Sequence, residues 1–262
     1  MKVIIVIPAR YGSTRFPGKP LAPVSGKSLL QRTWSIGKAV EHVDEVFIAT
    51  DDDRIAEHGK SFGAQIIMTK ECSNGTERAY EAITKASLSP DIIINLQGDA
   101  VLTPPWIIQS IVDAMIADPS IQLATPATRL TWPQYEKLVA SKASGQAGGT
   151  TVTFDKNNNA LYFSKAIIPF LRNRNGDDSG EPPVFRHIGL YGYSRQCLEQ
   201  YLKLKPTILE KSEGLEQLRA LENGIPIKVV LVDYRGRSHW AIDSPEDVRV
   251  AESIIEKEGE LV

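Results

Sequence analysis

The residues best suited to chemistry begin with three cations. Arg10, Arg15 and Lys19 share one stretch, VIIVIPARYGSTRFPGKPL, from Val3 to Leu21. Positive charges this close repel one another unless an anion lies among them. Arg offers a planar fork to phosphate oxygens and Lys a point charge, so a di- or triphosphate is the guest this set suits. A solvated basic turn is the bland alternative, and the cations alone would favour it. The balance tips because a β-branched run, Val3 to Ile7, leads directly into them and reads as a buried strand. Pro8 then ends the run, having no N–H to give. Ligands of open α/β sheets gather at the carboxyl ends of strands, where this loop must lie.

Two carboxylates complete the set. Asp99 follows the apolar run DIIINL and Gln97-Gly98, and Asp243 follows Ala241-Ile242 just before a helix start. A pair of aspartates with bridging phosphate oxygens makes an oxygen cage for Mg²⁺. Such an ion stabilises charge at phosphorus and lowers the pKa of an attacking hydroxyl. A turn aspartate and an Asx turn are the plain readings of each residue taken singly. Asp51-Asp52-Asp53 looks more metal-like still, but helix starts collect Asp, and the triplet reads as mostly structural.

The elements that must position these groups alternate. Strands read at Glu45 to Thr50, Gln65 to Met68 and Asp91 to Leu96. Helices read at Lys27 to Val40, after Asp53 up to a stop at Gly63, from Ser73-Asn74-Gly75-Thr76-Glu77-Arg78 onward, and at Pro104 to Ala117. Strand alternating with helix predicts an α/β fold, a Rossmann-like mixed, mainly parallel sheet with helices on both faces. The second half changes texture. Ser141 to Thr151 reads as a Gly-rich flexible connection. Asp155 to Asn159 reads as a hairpin turn and Arg172 to Pro183 as a mobile loop. Phe185 to Tyr193 and Ile227 to Val232 read as strands. Glu213 to Asn223 reads as a helix stopped by Gly224, and Ser244-Pro245-Glu246-Asp247 opens a last helix. Glu210, Glu213 and Gln217 then fall at helical spacing and share a face.

Composition narrows the class. The 262 residues are 42% hydrophobic and 24% charged, enough for one large domain, here taken as residues 1–262 with a lobe at roughly 150–225. A net charge of -2 gives no pull towards nucleic acid or an anionic membrane. Cys72 and Cys197 are the only cysteines, too few for a disulfide framework or a thiolate metal site. No apolar run approaches membrane-spanning length, so a cytoplasmic chain is the expectation.

The motifs IPARYGSTRFPGKPL, ATDDDRI, NGTERAYEA, NLQGD, ALYFSKAIIP, RHIGLYGY, LEKSEGLEQLRALENG and IDSPEDV, in that order, resemble those of the 3-deoxy-manno-octulosonate (Kdo) cytidylyltransferases, or CMP-Kdo synthetases. The likeness covers nearly the whole chain. It implies transfer of CMP from CTP to the anomeric hydroxyl of a 2-keto-3-deoxy sugar acid, releasing pyrophosphate, a step in lipopolysaccharide precursor activation. It also implies a homodimer. By the same likeness Arg10, Arg15 and Lys19, with Ser13 nearby, hold the triphosphate. Ala9, Arg10, Gly75, Thr76 and Arg78 line the cytidine pocket, and Asp99 and Asp243 hold Mg²⁺. Gln97, His187, Tyr191, Glu210, Glu213 and Gln217 line the sugar-acid pocket. Each of these has a plainer reading: a helix cap for Asn74 to Arg78, a core histidine for His187, a half-buried strand for Tyr191, a solvated helix face for the glutamates.

Three positions depart from the family pattern. Ala100 stands where the family has Glu, Lys165 where it has Arg, and Thr151 where it has Lys. All three soften the charge on the sugar side, and an Arg-to-Lys change loses bidentate geometry. The expectation is that CTP chemistry is kept while the acceptor varies, an amino-substituted Kdo or another acidic acceptor being the alternatives. A nucleotidyltransferase or glycosyltransferase of the same sheet type using a sugar 1-phosphate, which a preference for UTP or GTP would favour, and a catalytically inactive nucleotide-binding paralogue are the remaining readings.

Overall fold

The computed structural model describes residues 1–12, 15–145, 148–173 and 180–262. Ser13, part of the Gly-rich stretch and the centre of the Arg172 to Pro183 loop lie outside the described residues.

The strands come first in the order β1 (Val3–Pro8), β2 (Pro23–Val24), β3 (Lys27–Ser28), β4 (Glu45–Thr50), β5 (Gln65–Met68) and β6 (Ile92–Leu96). Between and after them run α1 (Leu29–Lys38), α2 (Asp53–Ser61), α3 (Gly75–Lys85) and α4 (Pro105–Ala117). This half matches the sequence reading nearly residue for residue. The caps explain why: Ser28, Asp52 and Asn74 each accept a first-turn N–H. Gly63 takes the left-handed conformation (φ 84°) just past α2.

β1 lies between β4 and β6, parallel to both, and β4 pairs in parallel with β5. The chain therefore winds one way from β1 to β5 and then crosses back to β6. The point of reversal falls between β1 and β6, at whose carboxyl ends a crevice must open. Successive residues of β1 are buried on opposite faces. Ile4 and Val6 join one apolar cluster with α3 residues Ala79 and Ile83. Val3, Ile5 and Ile7 join another with Leu30 of α1 and Ile107, Ile108 and Ile111 of α4. Each such fully buried Ile contributes about 2–3 kcal/mol. Helices thus cover both faces, as the alternation requires.

The second half continues with β7 (Leu123–Arg129), α5 (Trp132–Ala143), β8 (Thr151–Phe154), β9 (Ala160–Ser164), β10 (Phe185–His187), β11 (Leu190–Ser194), α6 (Arg195–Leu202), α7 (Ile208–Glu213), α8 (Gln217–Glu222), β12 (Lys228–Leu231) and α9 (Pro245–Glu258). Among the described residues these strands extend the sheet in the order β5-β4-β1-β6-β11-β7-β10-β8-β9, with β12 on β7.

Several expectations are corrected here. The Gly-rich connection is shorter than expected, since Ser141 to Ala143 finish α5 and Thr151 starts β8. The strand from Phe185 to Tyr193 is broken at Ile188-Gly189. Phe185 and His187 pair with Arg129 and Ala127, but Gly192 and Tyr193 pair with Ala124 and Leu123. That break lets β10 take β8 as its other neighbour while β11 takes β6. The helix from Glu213 to Asn223 is two short helices. Gly214, left-handed at φ 63°, ends α7 before α8 begins, so Glu210 and Glu213 do not share a continuous helix face with Gln217. The hairpin at Asp155 to Asn159 is present, with Asp155 Oδ1 accepting the N–H groups of Asn157 and Asn159. No helix among the described residues is long and apolar enough to cross a membrane.

Candidate functional site

The crevice at the carboxyl ends of β1 and β6 holds the charged residues singled out above. Ala9 continues from β1, its N–H donating to Ala49 O at 2.9 Å, and Arg10 follows it exposed. The loop turns back at Gly18 (φ 73°), whose N–H donates to Tyr11 O at 2.9 Å, and a 3₁₀ turn at Lys19–Leu21 follows. The Tyr11 ring is stacked beneath the Arg54 guanidinium, 3.4 Å from ring centroid to carbon.

Lys19 is the centre of the arrangement. Its ammonium donates to Asp99 Oδ2 at 2.8 Å and to Ile242 O at 2.7 Å, and stands 4.0 Å from Asp243 Oδ1. Arg15 donates to the same Asp243 oxygen at 3.1 Å. Residues far apart in the chain therefore meet as one cluster of alternating charge. A separate small apolar cluster carries all three contributing segments: Val24 and Leu29 from the first, Val101 and Leu102 beside Asp99, and Ile242, Ala251 and Ile255 around Asp243.

The floor is close-packed. A side-chain carbon at Gly98 would come within 3.1 Å of Pro8 O, and one at Gly75 within 3.0 Å of Pro8 Cγ and 3.2 Å of Gln97 Oε1. Gln97, half-buried, thus borders the α3 start. The Glu77 N–H donates to Asn74 Oδ1 at 2.8 Å, so the helix cap is present, but the Glu77 carboxylate reaches past the cap to accept the Ser73 N–H at 2.8 Å instead of that of Asn74, and the reciprocal capping box is not formed. Arg78 is buried. It donates to Asp51 Oδ2 at 2.8 Å and to Thr69 Oγ1 at 2.7 Å. Asp51 is therefore the anchor of a candidate pocket residue, and Asp52 the cap of α2. Thr76 is also buried, and its hydroxyl lies 3.2 Å from both Glu216 carboxylate oxygens and from Asn95 Nδ2. Burial pushes the Glu216 carboxyl up.

Apart from Gln97, just past β6, the residues assigned to the sugar side sit on β10, β11, α7 and α8. His187 is buried at the strand break, its Nε2 2.8 Å from Thr125 Oγ1, and that hydroxyl also lies 2.8 Å from Leu190 O. Burial first, then the positive charge of Lys165, pushes His187 down to about 3, so its ring is neutral near pH 7. Tyr191 is buried beside it, ring centroids 5.6 Å apart, and burial holds its hydroxyl protonated. Glu210 pairs with Arg219 through two hydrogen bonds, which with the Thr207 N–H hold its carboxyl below the usual range. Glu213 accepts the Ser164 hydroxyl and the Lys165 N–H, both at 2.7 Å. Among the described residues, Gln217 Nε2 and Asn95 Oδ1 are buried with no partner.

The three departures have structural readings. Ala100 packs against the cluster under α1 and α4. Thr151 is buried and pins the next turn, donating to Ala166 O at 2.7 Å and accepting the Ile168 N–H at 3.1 Å. Lys165, a cation in place of the family's Arg, lies near two further basic residues, Lys142 and Arg186. Burial lowers Lys142, and Lys165 and Arg186 lower it further, while Glu213 opposes them. The sequence reading passed over Lys142, Arg186, Glu216 and His239. Arg186 and Glu216 sit inside quoted motifs, RHIGLYGY and LEQLR, and so were within reach. Lys142 and His239 lie in segments with no periodic signal.

Fold and crevice together define an α/β protein with a cluster of alternating charge at the reversal point of a mixed sheet. The chain belongs to the cytidylyltransferase family, whose model matches residues 4–229. It is 54% identical over the full length of both chains to a protein of Maricaulis maris named 3-deoxy-manno-octulosonate cytidylyltransferase. It is 39% identical to an 8-amino-3,8-dideoxy-manno-octulosonate cytidylyltransferase of Shewanella woodyi, over 97% of this chain and 98% of that one. Its structure matches that of a CMP:2-keto-3-deoxy-manno-octonic acid synthetase complexed with CTP, with a TM-score of 0.85 and 32% identity over 98% of this chain and 100% of that one.

Proposed function

We propose that this chain transfers CMP from CTP to the anomeric hydroxyl of Kdo, releasing pyrophosphate. The observation that carries the reading is the Lys19 ammonium held between Asp99 and Asp243 with Arg15 beside it. A triphosphate entering the crevice gives Arg15 and Lys19 new partners, and Arg10 stands exposed at the same loop. These cations screen the charge that builds on the departing pyrophosphate, which is electrostatic stabilisation rather than proton transfer.

The released carboxylates suit Mg²⁺. The site already gathers a cation between two hard oxygen donors. Asp99 and Asp243 would hold the ion, phosphate oxygens and water completing its shell. Bound there, it would supply charge neutralisation at the α-phosphate and acidify the attacking hydroxyl. Gly75 and Gly98 let the α3 start and the end of β6 pack directly on Pro8 beside the triphosphate loop, and buried Arg78 and Thr76 hold the α3 start in place. On the acceptor side, Lys142, Lys165 and Arg186 concentrate positive charge that a sugar carboxylate would relieve. The unpartnered amide atoms of Gln217 and Asn95 suit a polyhydroxyl ligand.

Pyrophosphate release, measured with CTP and Mg²⁺ against a set of acceptors, tests this. Turnover with Kdo and not with its 8-amino analogue supports the reading. Preference for the amino sugar would shift the acceptor to the kind named for the Shewanella relative, and turnover with no acceptor would leave a nucleotide-binding paralogue. Two copies are expected to pair through the exposed apolar residues Leu161, Phe170 and Ile208 (62%, 89% and 78% exposed), which sedimentation velocity checks. A requirement for CTP also fits a cytoplasmic location, where lipopolysaccharide precursors are activated.

A further inference from the structure

Between β12 and α9 the chain has no regular structure from Ser238 to Asp243, yet it delivers two groups to the crevice with precision. Ile242 O meets Lys19 and Asp243 Oδ1 meets Arg15. Part of that precision comes from Ile242, whose side chain is fully buried. The rest comes from Asp247, in the first turn of α9. Its Oδ2 accepts the Asp243 N–H at 3.0 Å, the Ser244 N–H at 2.8 Å and the Ser244 hydroxyl at 3.0 Å. Its Oδ1 accepts the Trp240 indole N–H at 3.1 Å.

An ordinary capping box asks its third helical residue to accept one N–H, that of the cap. Asp247 does this for Ser244 and then takes three further donors that capping does not need, the Asp243 N–H, the Ser244 hydroxyl and the Trp240 indole. The Asp243 and Ser244 N–H groups belong to the peptides on either side of the Asp243 Cα. Bound to one oxygen, they fix both backbone torsions of Asp243 and so the direction of its Cα–Cβ bond, from which the carboxylate reaches Arg15. The indole bond ties the same oxygen pair to the segment upstream. We propose that Asp247 is a positioning residue, holding the Asp243 carboxylate where it can bind the cation of the nucleotide site. Partners that orient a metal ligand without touching the metal act in this way.

The inference rests on the proposed Mg²⁺ role of Asp243, and the test separates the two. Mn²⁺ serves as the probe, its binding to the protein–CTP complex read by electron paramagnetic resonance, with CTP affinity measured separately in EDTA and melting temperature alongside. Asp247→Asn is compared with Ser244→Ala, which weakens the helix cap but leaves Asp247 its bond to the Asp243 N–H. The expected result is Mn²⁺ affinity about tenfold weaker in Asp247→Asn and unchanged in Ser244→Ala, with both variants melting lower and metal-free CTP affinity kept. Should Asp247→Asn fail to fold, Asp247→Glu, which keeps the acceptor on a longer arm, is read in its place with the same expectation. Equal Mn²⁺ affinity in the unaltered protein and the Asp247 variant, or the same loss in Ser244→Ala, overturns the inference and leaves a plain cap. A complex of unaltered protein and CTP that takes up no Mn²⁺ overturns the reading of Asp243 itself.

Discussion

Lys19 and Asp99 are 80 positions apart in the chain, and their ammonium and carboxylate are 2.8 Å apart in the fold. The contact exists because β1 and β6 are neighbours and each ends in a loop that turns into the same crevice. In the proposed reaction the lysine has two states to serve, one neutralising the aspartates and one meeting phosphate.

Replacing it by Met removes a preorganised cation and leaves Asp99 and Asp243 facing each other. Turnover with saturating CTP is expected to fall about 10²–10³-fold, the cost of removing one donor to a developing charge. Mg²⁺ should raise the melting temperature of Lys19→Met more than that of the unaltered protein, because no side-chain cation then competes for the pair. Equal increments would mean that the two aspartates share no ion.

Asp51 offers a second test. Its carboxylate is the charged partner of Arg78, whose guanidinium is 3% exposed. Asp51→Ala leaves that charge buried with Thr69 alone. Asp51 is itself 26% exposed, so water softens the loss, and the expected destabilisation is about 2 kcal/mol, below the range for a fully buried broken pair. Urea denaturation measures it. Asp51→Asn, which keeps an acceptor oxygen, should cost less.

The same residue shows where the sequence was legible and where it was not. The Asp51 to Asp53 triplet was readable as a helix start from residue type alone, and Asp52 does cap α2. That Asp51 holds Arg78 was not readable, since the pairing depends on β4 and α3 packing side by side. The first half was legible because its strands are continuous apolar runs and its helices carry caps. β7 and α5 escaped notice: LATPATR mixes small and polar residues, and α5 buries only Leu138, leaving no clear periodicity. The meeting of Asp99 with Asp243 was expected from family likeness, while the clamp on Asp243 depends on hydrogen bonds that no sequence pattern announces.

His187 gives the pH dependence. Its folded pKa of about 3 lies below the roughly 6.5 of an unfolded histidine, so the folded chain binds fewer protons between these values. Its contribution to stability is complete above about pH 6.5 and is lost as pH falls towards 3, at up to about 1.4 kcal/mol per pH unit. His239, lowered by burial to about 4, acts in the same direction. Melting temperature should therefore drop steeply below pH 6. His187→Gln, which keeps a donor for Thr125, should flatten part of that slope while melting lower at pH 7.5. An unchanged slope would place the titration elsewhere.

Gly98 sits where β6 has just ended, and its Cα faces the Pro8 carbonyl. An added Cβ would stand 3.1 Å from that oxygen, closer than nearly all such contacts. The oxygen is backbone, and moving it moves Ala9 and Arg10 with it. At Gly75 the nearest groups are the Pro8 ring and the Gln97 amide, and the amide can swing aside. Gly98→Ala is thus expected to destabilise by about 1–2 kcal/mol and, on the proposed function, to raise the KM for CTP more than the KM for the acceptor, since the displaced loop carries Arg10, Arg15 and Lys19. Gly75→Ala, which displaces Gln97, should act more on the acceptor. Steady-state kinetics with each substrate varied in turn separates them, and equal effects on both KM values in both variants would show that the floor responds as one unit.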